Sequence, residues 1–332
     1  RTTAPGADST VILDTDTVTG SSSKITGTAN GLTGVLALDG TKVTLKDSDI
    51  SLTGNKAFGL LLTSIVPSAS NKSSAELLKG DITVGNGGIA VYSVNGNLDI
   101  KNYDVNSKFV LGNEGIGIYA DTDTVIDTGS GIKVLNMDYT SATDKGVGVY
   151  YEESTGLGNR VNNITVKNIN TGQKENFVNI LSNNTNLTNN ADQVVGKSGI
   201  GIYGSGKGSI INNGTIFLSG ETAVGLYAKG AGPADIVTIS KLGSIEEETG
   251  SLVDYKERIG AYIDTNANIT GTDNYTFNVD GGIGMYLKSY IDYAGTMTVG
   301  GTTFNDGLND HRTIGIYVDS SVYSLAKDLN TN

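Results

Sequence analysis

The chain has 332 residues, a formal net charge of -12, 46 Gly, 32 Asn, no Cys, no Trp and a single His. A disulfide framework, a thiolate metal site and a cysteine nucleophile are therefore excluded, and one His builds no poly-His zinc site. With only four Arg (Arg1, Arg160, Arg258, Arg312) in an acidic chain, nucleic-acid binding is also disfavoured.

In chain order, residues 1–30 read as an N-terminal segment or irregular first coil. From there a five-residue cassette recurs as far as Tyr317, and the tail after Asp319 lacks it. It begins weakly as GVLAL (Gly34 to Leu38) and AFGLL (Ala57 to Leu61), then sharpens to GIAVY (Gly88 to Tyr92), GIGIY (Gly115 to Tyr119) and GVGVY (Gly146 to Tyr150). FVNIL (Phe177 to Leu181) precedes a second GIGIY (Gly199 to Tyr203), and AVGLY (Ala223 to Tyr227) and RIGAY (Arg258 to Tyr262) follow. GIGMY (Gly282 to Tyr286) and TIGIY (Thr313 to Tyr317) close the series. Cassette ends are spaced by 23, 31, 27, 31, 31, 22, 24, 35, 24 and 31 residues, which is irregular but unbroken. Repetition at this period overrides a domain count based on length, so residues 31–332 are expected to form one continuous repeat domain.

Each cassette alternates with period two, the mark of a strand. Positions two and four (Ile116 and Ile118, Val147 and Val149, Ile200 and Ile202) are expected to face a common core, with the other positions outside. Eight tyrosines close cassettes as structural anchors: Tyr92, Tyr119, Tyr150, Tyr203, Tyr227, Tyr262, Tyr286 and Tyr317. Because Leu replaces Tyr in three cassettes, the rings are expected to pack against a neighbouring corner or loop rather than to serve as an exposed aromatic ladder. Further short strands are read at Lys42 to Leu45, Asp81 to Val84, Asn163 to Val166 and Gly214 to Phe217, with Gly, Asn, Asp and Ser supplying the turns. Two or three strands per 22–35 residues describe a coil of a right-handed parallel β-helix, an all-β solenoid. Eleven coils at roughly 4.8 Å each would extend on the order of 50–60 Å.

The serial pattern GIGIYA, NNGTI, SGETAVGLYAKG, strongest over Gly199 to Gly230, resembles the passenger domains of large fusobacterial-type autotransporter adhesins. That resemblance implies export from a Gram-negative cell, display at the cell surface, and a β-helical passenger belonging to a longer polypeptide. A chain without Cys suits passage through a pore in unfolded form. No apolar run is long enough to span a bilayer as a helix.

Candidates for chemistry are few. Gly199 to Gly204 satisfies G-x-G-x-x-G, but the following Ser209 to Gly214 read as strand and turn instead of the helix that a phosphate loop needs. Two residues after each anchor, Asp121 and Glu152 fall on neighbouring coils as an acid pair, whereas Lys229, Asp264, Lys288 and Asp319 alternate in sign. Both are read as a solvated edge, with no catalytic residue assigned. Asp14-Thr15-Asp16 and Asp121-Thr122-Asp123 carry calcium-type oxygens without a continuing loop motif, so no metal or cofactor is expected. His311 is expected to be exposed in a polar loop.

Longer spacings place surplus chain at Val66 to Leu77, Asp138 to Lys145, Glu152 to Val161, Gly230 to Glu257 and Thr302 to Arg312. The acidic run Glu246, Glu247, Glu248 marks one candidate binding loop. The reading is a non-enzymatic, monomeric adhesin segment that meets a host-cell or bacterial surface protein or glycan. A passive spacer and a carbohydrate-active β-helix enzyme are the alternatives.

Overall fold

The computed structural model describes residues 10–14, 22–64, 72–121, 123–140, 145–154, 156–168, 176–248, 257–289, 291–300, 304–305, 310–311 and 313–319. Among these residues there is no helix. Strands pair in parallel throughout, apart from a two-residue antiparallel hairpin (Phe304–Asn305 with Asp310–His311) and one isolated antiparallel bridge. The chain is a parallel β-helix.

It divides into two compact units, Arg1–Thr155 with Asn163–Gly172, and Gly156–Asn162 with Gln173–Asn332. In the first unit each coil visits three faces in turn. The first face holds Thr10–Leu13, Lys42–Leu45, Ser73–Leu77, Gly96–Asp99 and Val125–Asp127. The second holds Ser23–Gly27, Ser48–Leu52, Ile82–Val84, Lys108–Leu111, Lys133–Tyr139 and Ile164–Asn168. The third, the anchor face, holds Thr33–Leu38, Phe58–Thr63, Ile89–Val94, Gly115–Asp121 and Gly146–Glu152.

The second unit repeats the plan. Its first face runs through Gly158–Asn162, Thr185–Asn189, Gly208–Asn212, Val237–Lys241, Ala267–Gly271 and Asp292–Tyr293. Gln193–Val195, Thr215–Leu218, Ser244–Glu247, Tyr275–Asn278 and Met297–Gly300 form its second face. Phe177–Asn183, Ile200–Gly206, Val224–Gly230, Ile259–Ile263, Ile283–Leu287 and Ile314–Val318 form its anchor face. Among the described residues eleven anchor strands match the eleven cassettes, and each closes a coil of three strands, the last of them also carrying the two-residue hairpin.

Pairing register corrects two details of the sequence reading. The first cassette is shifted: Val35 pairs with Leu60 and Leu36 with Leu61, so Leu36 and not Leu38 holds the anchor position. Gly34 then takes the middle position, which is Gly in nine coils and Ala90 or Asn179 in the other two. The inward pattern also differs. Position four is buried as expected, with Ile118, Val149, Ile202, Leu226 and Met285 all fully inaccessible. Position two is not; Ile116, Val147, Ile200 and Val224 are partly exposed on the outer side.

The middle residue explains this. It turns inward next to position four, so two successive residues face the core and strict alternation breaks. A methyl group placed on Gly225 would lie 2.6 Å from Gly260 O and 2.7 Å from Ile245 Cδ1; on Gly201 it would lie 2.6 Å from Gly225 O. At these glycines the backbone of one coil therefore rests directly on the backbone of the next, and an added side chain would collide with it.

Asparagine has a larger role than turn punctuation. Asn162 donates to Asn189 Oδ1 at 2.7 Å, and Asn189 donates to Asn212 Oδ1 at 2.7 Å and to Ala191 O at 2.8 Å. All three side chains are fully buried at the end of the first face, and Asn212 closes the series on Leu242 O at 2.9 Å. An exposed counterpart runs alongside, where Asn213 donates to Asn190 Oδ1 and Lys241 to Asn213 Oδ1. The N-N of N-N-G-T-I thus places one amide inside and one outside.

Part of the expected loops is regular structure. Ser73–Leu77, Gly158–Asn162, Val237–Lys241 and Ser244–Glu247 are strands within the stretches read as surplus. Their inward residues Ala75, Leu77, Ile239 and Ile245 are buried, and the turn between the last two strands uses Gly243 at φ 72°. The remainder of those stretches lies largely outside the described residues.

Two stability tests follow from the packing. Gly225→Val is expected to destabilise by about 1–3 kcal/mol through overpacking, while Gly232→Ala, with open space around it, shifts stability by less than about 0.5 kcal/mol. Asn189→Ala deprives two buried amides of a partner and is expected to cost about 2–5 kcal/mol. Denaturant melts of the purified chain read each value, and equal melts for Gly225→Val and Gly232→Ala would refute the backbone-contact account.

Candidate functional site

The outer side of the anchor face presents position two, the anchor residue, and the residue two further on. In the first unit Tyr92 and Tyr119 stack at 4.7 Å, and Tyr119 meets Tyr150 edge-on at 5.0 Å. Phe58 lies edge-on to Tyr92 at 5.5 Å. In the second unit Tyr203, Tyr227, Tyr262, Tyr286 and Tyr317 form a column with successive centroids 4.9, 4.9, 4.8 and 4.9 Å apart. Each ring's partner is the ring of the next coil and not a corner or a loop. Most are half-buried; Tyr317 is 43% exposed.

This stacking limits what the column can bind. A sugar docks on a free aromatic face, but here the faces of interior rings are turned to their neighbours. What reaches solvent is a row of ring edges and phenol oxygens.

The phenols meet the charged column beside them. Tyr119 donates to Glu152 Oε2 at 2.5 Å, Tyr227 to Asp264 Oδ2 at 2.5 Å and Tyr286 to Asp319 Oδ2 at 2.9 Å. Each acid belongs to the coil after its tyrosine. Lys229 Nζ lies 3.5 Å from Asp264 Oδ2, and Lys288 Nζ lies 5.6 Å from the centre of the Tyr262 ring. Burial, then the bond to Glu152, pushes the Tyr119 phenol well above its ordinary value; burial and Asp264 do the same to Tyr227. Burial opposes ionisation of Asp264, but bonds from Tyr227 and the Thr265 N–H, with Lys229, bring it below the ordinary carboxylate value.

Asp121 and Glu152 do fall on adjacent coils at one register. Asp121, nearly buried, accepts the Ser154 N–H at 3.0 Å, while Glu152 accepts Tyr119. Both carboxylates are thus engaged in holding the coil edge.

The acidic run is not a loop tip. Glu246 and Glu247 lie on the strand Ser244–Glu247; Glu246 accepts the Ser244 hydroxyl at 2.8 Å, and Glu247 lies 3.3 Å from the fully buried Arg258 guanidinium. Glu248 bonds Leu218 O through its N–H, and residues 249–256 lie outside the described residues. Gly201 to Gly208 lie along successive strands with no helix after them. Asp14 pairs with Lys46 at 2.7 Å, whereas Thr15, Asp16 and Thr122 are outside the described residues. His311 lies on the short hairpin strand. No cluster of three metal-ligating side chains occurs among the described residues.

One feature escaped the sequence reading. A groove of about 480 Å³ runs along the first face of the first unit, lined by Lys42, Glu76, Asn97, Asp99, Val125 and Asp127 among others. Glu76 and Asp99 are paired in register, as are Asp99 and Asp127, so three acids stack on successive coils. Lys101 Nζ lies 2.6 Å from Asp99 and 3.8 Å from Asp127, and Lys42 lies 3.6 Å from Glu76. The signal was present as an acid between inward residues (Ala75-Glu76-Leu77, Leu98-Asp99-Ile100), at a register away from the tyrosine anchors.

Comparison of the chain with protein-family models, with curated proteins and with solved structures finds no match. Among the described residues no helix is long and apolar enough to cross a membrane.

Because the folded Asp264 value lies below the ordinary 3.8, its contribution is present above that value and is lost as pH falls through the folded one. Tyr227 and Tyr119 have the opposite sign: raised phenol values give stability that is complete below the ordinary 10.0 and is lost as pH rises beyond it. Thermal melts across pH are expected to show both limbs, and Asp264→Asn to flatten the acid limb. An unchanged acid limb in that variant would remove Asp264 from the account.

Proposed function

We propose that this chain is a non-enzymatic segment of a surface adhesin of the autotransporter type, exported by a Gram-negative cell, in which a β-helix holds out loops that contact a host-cell or bacterial surface. The observation that carries the reading is where surplus chain enters the coils. Between the second and the anchor faces, bare coils use three to five residues, as at Leu111 to Gly115 and Leu52 to Phe58. In the second unit the connections from Glu247 to Ile259 and from Gly300 to Ile314 hold eleven and thirteen residues at that same corner. Insertion at one corner adds chain without interrupting any of the three ladders. Repeated weak contacts along such an edge give avidity without a pocket.

Protein partners suit the column better than glycans, since the faces of its interior rings are already taken and its phenol and carboxylate edges offer hydrogen bonds. The decisive experiment replaces 249–256 by a short Gly-Asn turn and measures binding of the purified segment to cells and to glycan arrays, with circular dichroism as the folding check. Retained strand signal with binding reduced about tenfold or more is the expected outcome. Intact segments that bind no surface, with and without the replacement, would leave the spacer reading.

The stacked acids in the groove favour one further reading, a carbohydrate-active β-helix. Coil spacing of roughly 4.8 Å sets neighbouring carboxylates near the separation of a retaining glycosidase pair. Lys101 bridging Asp99 and Asp127 argues against it, because both acids are held as ion-pair partners. Hydrolysis or binding of an oligosaccharide abolished by Asp99→Asn would revive it.

A further inference from the structure

The tyrosine column of the second unit combines three features that packing alone does not require. Five rings follow one another at 4.8–4.9 Å. Alternate members, Tyr227 and Tyr286, each donate their phenol proton to a carboxylate, at 2.5 Å to Asp264 and at 2.9 Å to Asp319. The ring between them, Tyr262, instead lies beneath the ammonium group of Lys288 at 5.6 Å.

A phenol that loses one electron becomes a strong acid, so its oxidation is easy only where a base stands ready to take the proton. Asp264 and Asp319 stand at that position, and a preformed charge-assisted bond needs no reorganisation of water. A cation over Tyr262 disfavours positive charge on that ring. The two sites where an oxidising equivalent can rest are therefore separated by one stacked ring, at two coil spacings or roughly 10 Å.

We propose that this column accepts and relays one-electron oxidising equivalents, with Tyr227 and Tyr286 as the resting sites, Asp264 and Asp319 as their proton acceptors and Tyr262 as the bridge. The oxidant is an external one-electron acceptor such as the ferryl haem of a peroxidase or a peroxyl radical. It takes an electron from Tyr286 as the phenolic proton passes to Asp319; the oxidant is reduced by one electron, and a neutral phenoxyl and a carboxylic acid remain. In the relay step an electron moves from Tyr227 to the Tyr286 phenoxyl. The proton on Asp319 returns to the Tyr286 oxygen, and that of Tyr227 passes to Asp264. Only O–H bonds break and form; each proton stays within its own pair, the electron carries one negative charge from the Tyr227–Asp264 pair to the Tyr286–Asp319 pair, and the total charge is conserved. Nothing in this chemistry requires adhesion.

The test uses the purified chain with flash-generated ruthenium(III) tris-bipyridine as the oxidant and the phenoxyl absorption band as the readout. A fast phase with a solvent deuterium isotope effect is expected. In the double variant Asp264→Asn with Asp319→Asn that phase slows about tenfold or more and loses the isotope effect, whereas Asp264→Glu with Asp319→Glu restores both. Spin-trap adducts mapped by mass spectrometry are expected on Tyr227 and Tyr286 in preference to Tyr262. Circular dichroism identifies a variant that has lost the fold, and in that case the wild-type isotope effect and adduct map decide alone. Equal rates in wild type and a folded double variant, a rate equal to that of free N-acetyltyrosinamide, or adducts spread evenly over the column would each overturn the proposal.

Discussion

Parallel pairing of each strand with its counterpart one coil later governs this molecule. Within each unit the chain has no other way to satisfy its backbone groups, because the described residues contain no helix and almost no antiparallel pairing. Once that ladder forms, a residue is placed on the residue one repeat further along, about 4.8 Å away. Like must tolerate like. Aliphatic positions stack into a dry core, asparagine amides chain donor to acceptor, and tyrosines lie ring on ring. Charges are the one class that cannot repeat without cost, and the column beside the second unit's tyrosines alternates Lys229, Asp264, Lys288 and Asp319 accordingly.

Much of the architecture was legible because a repeat writes the same instruction many times. The cassette located every anchor strand, and the β-rich stretches at Lys42 to Leu45 and Gly214 to Phe217 became strands within a residue of where they were read. The errors share one physical source, a local break in alternation. A two-residue period assumes that neighbours point to opposite sides, and the inward glycine violates this once per coil. That is why Ile116 and Ile200 emerged on the outer side, and why GVLAL was placed two residues late. The amide series Asn162, Asn189, Asn212 was hidden for another reason: consecutive Asn residues look alike in a sequence, while only a fold separates the one inside from the one outside.

The candidate sites were less legible than the fold. Register at the anchors predicted Asp121 above Glu152, yet their engagement with Ser154 and Tyr119 depends on side-chain direction, which a repeat pattern does not carry. The acid column of Glu76, Asp99 and Asp127 lies on a face without a tyrosine to mark it, and its spacing along the chain varies with each turn. Glu246 and Glu247 were read as loop because they fall within a long cassette spacing. Ile245 between core neighbours, and Arg258 far along the chain, make the segment a strand with a buried ionic anchor.

The direct contact of glycine on backbone, Gly201 to Gly225 and Gly225 to Gly260, has a consequence for how such a chain can change over time. Where neighbouring turns offer one another the same bare surface, as at these glycines, a whole turn can be gained or lost by recombination between cassettes and the joint will still fit. A break inside a cassette finds no matching seat. Length is therefore free to vary in steps of one coil, while the five residues that set the seat are not, and diversity is steered towards the connections between strands.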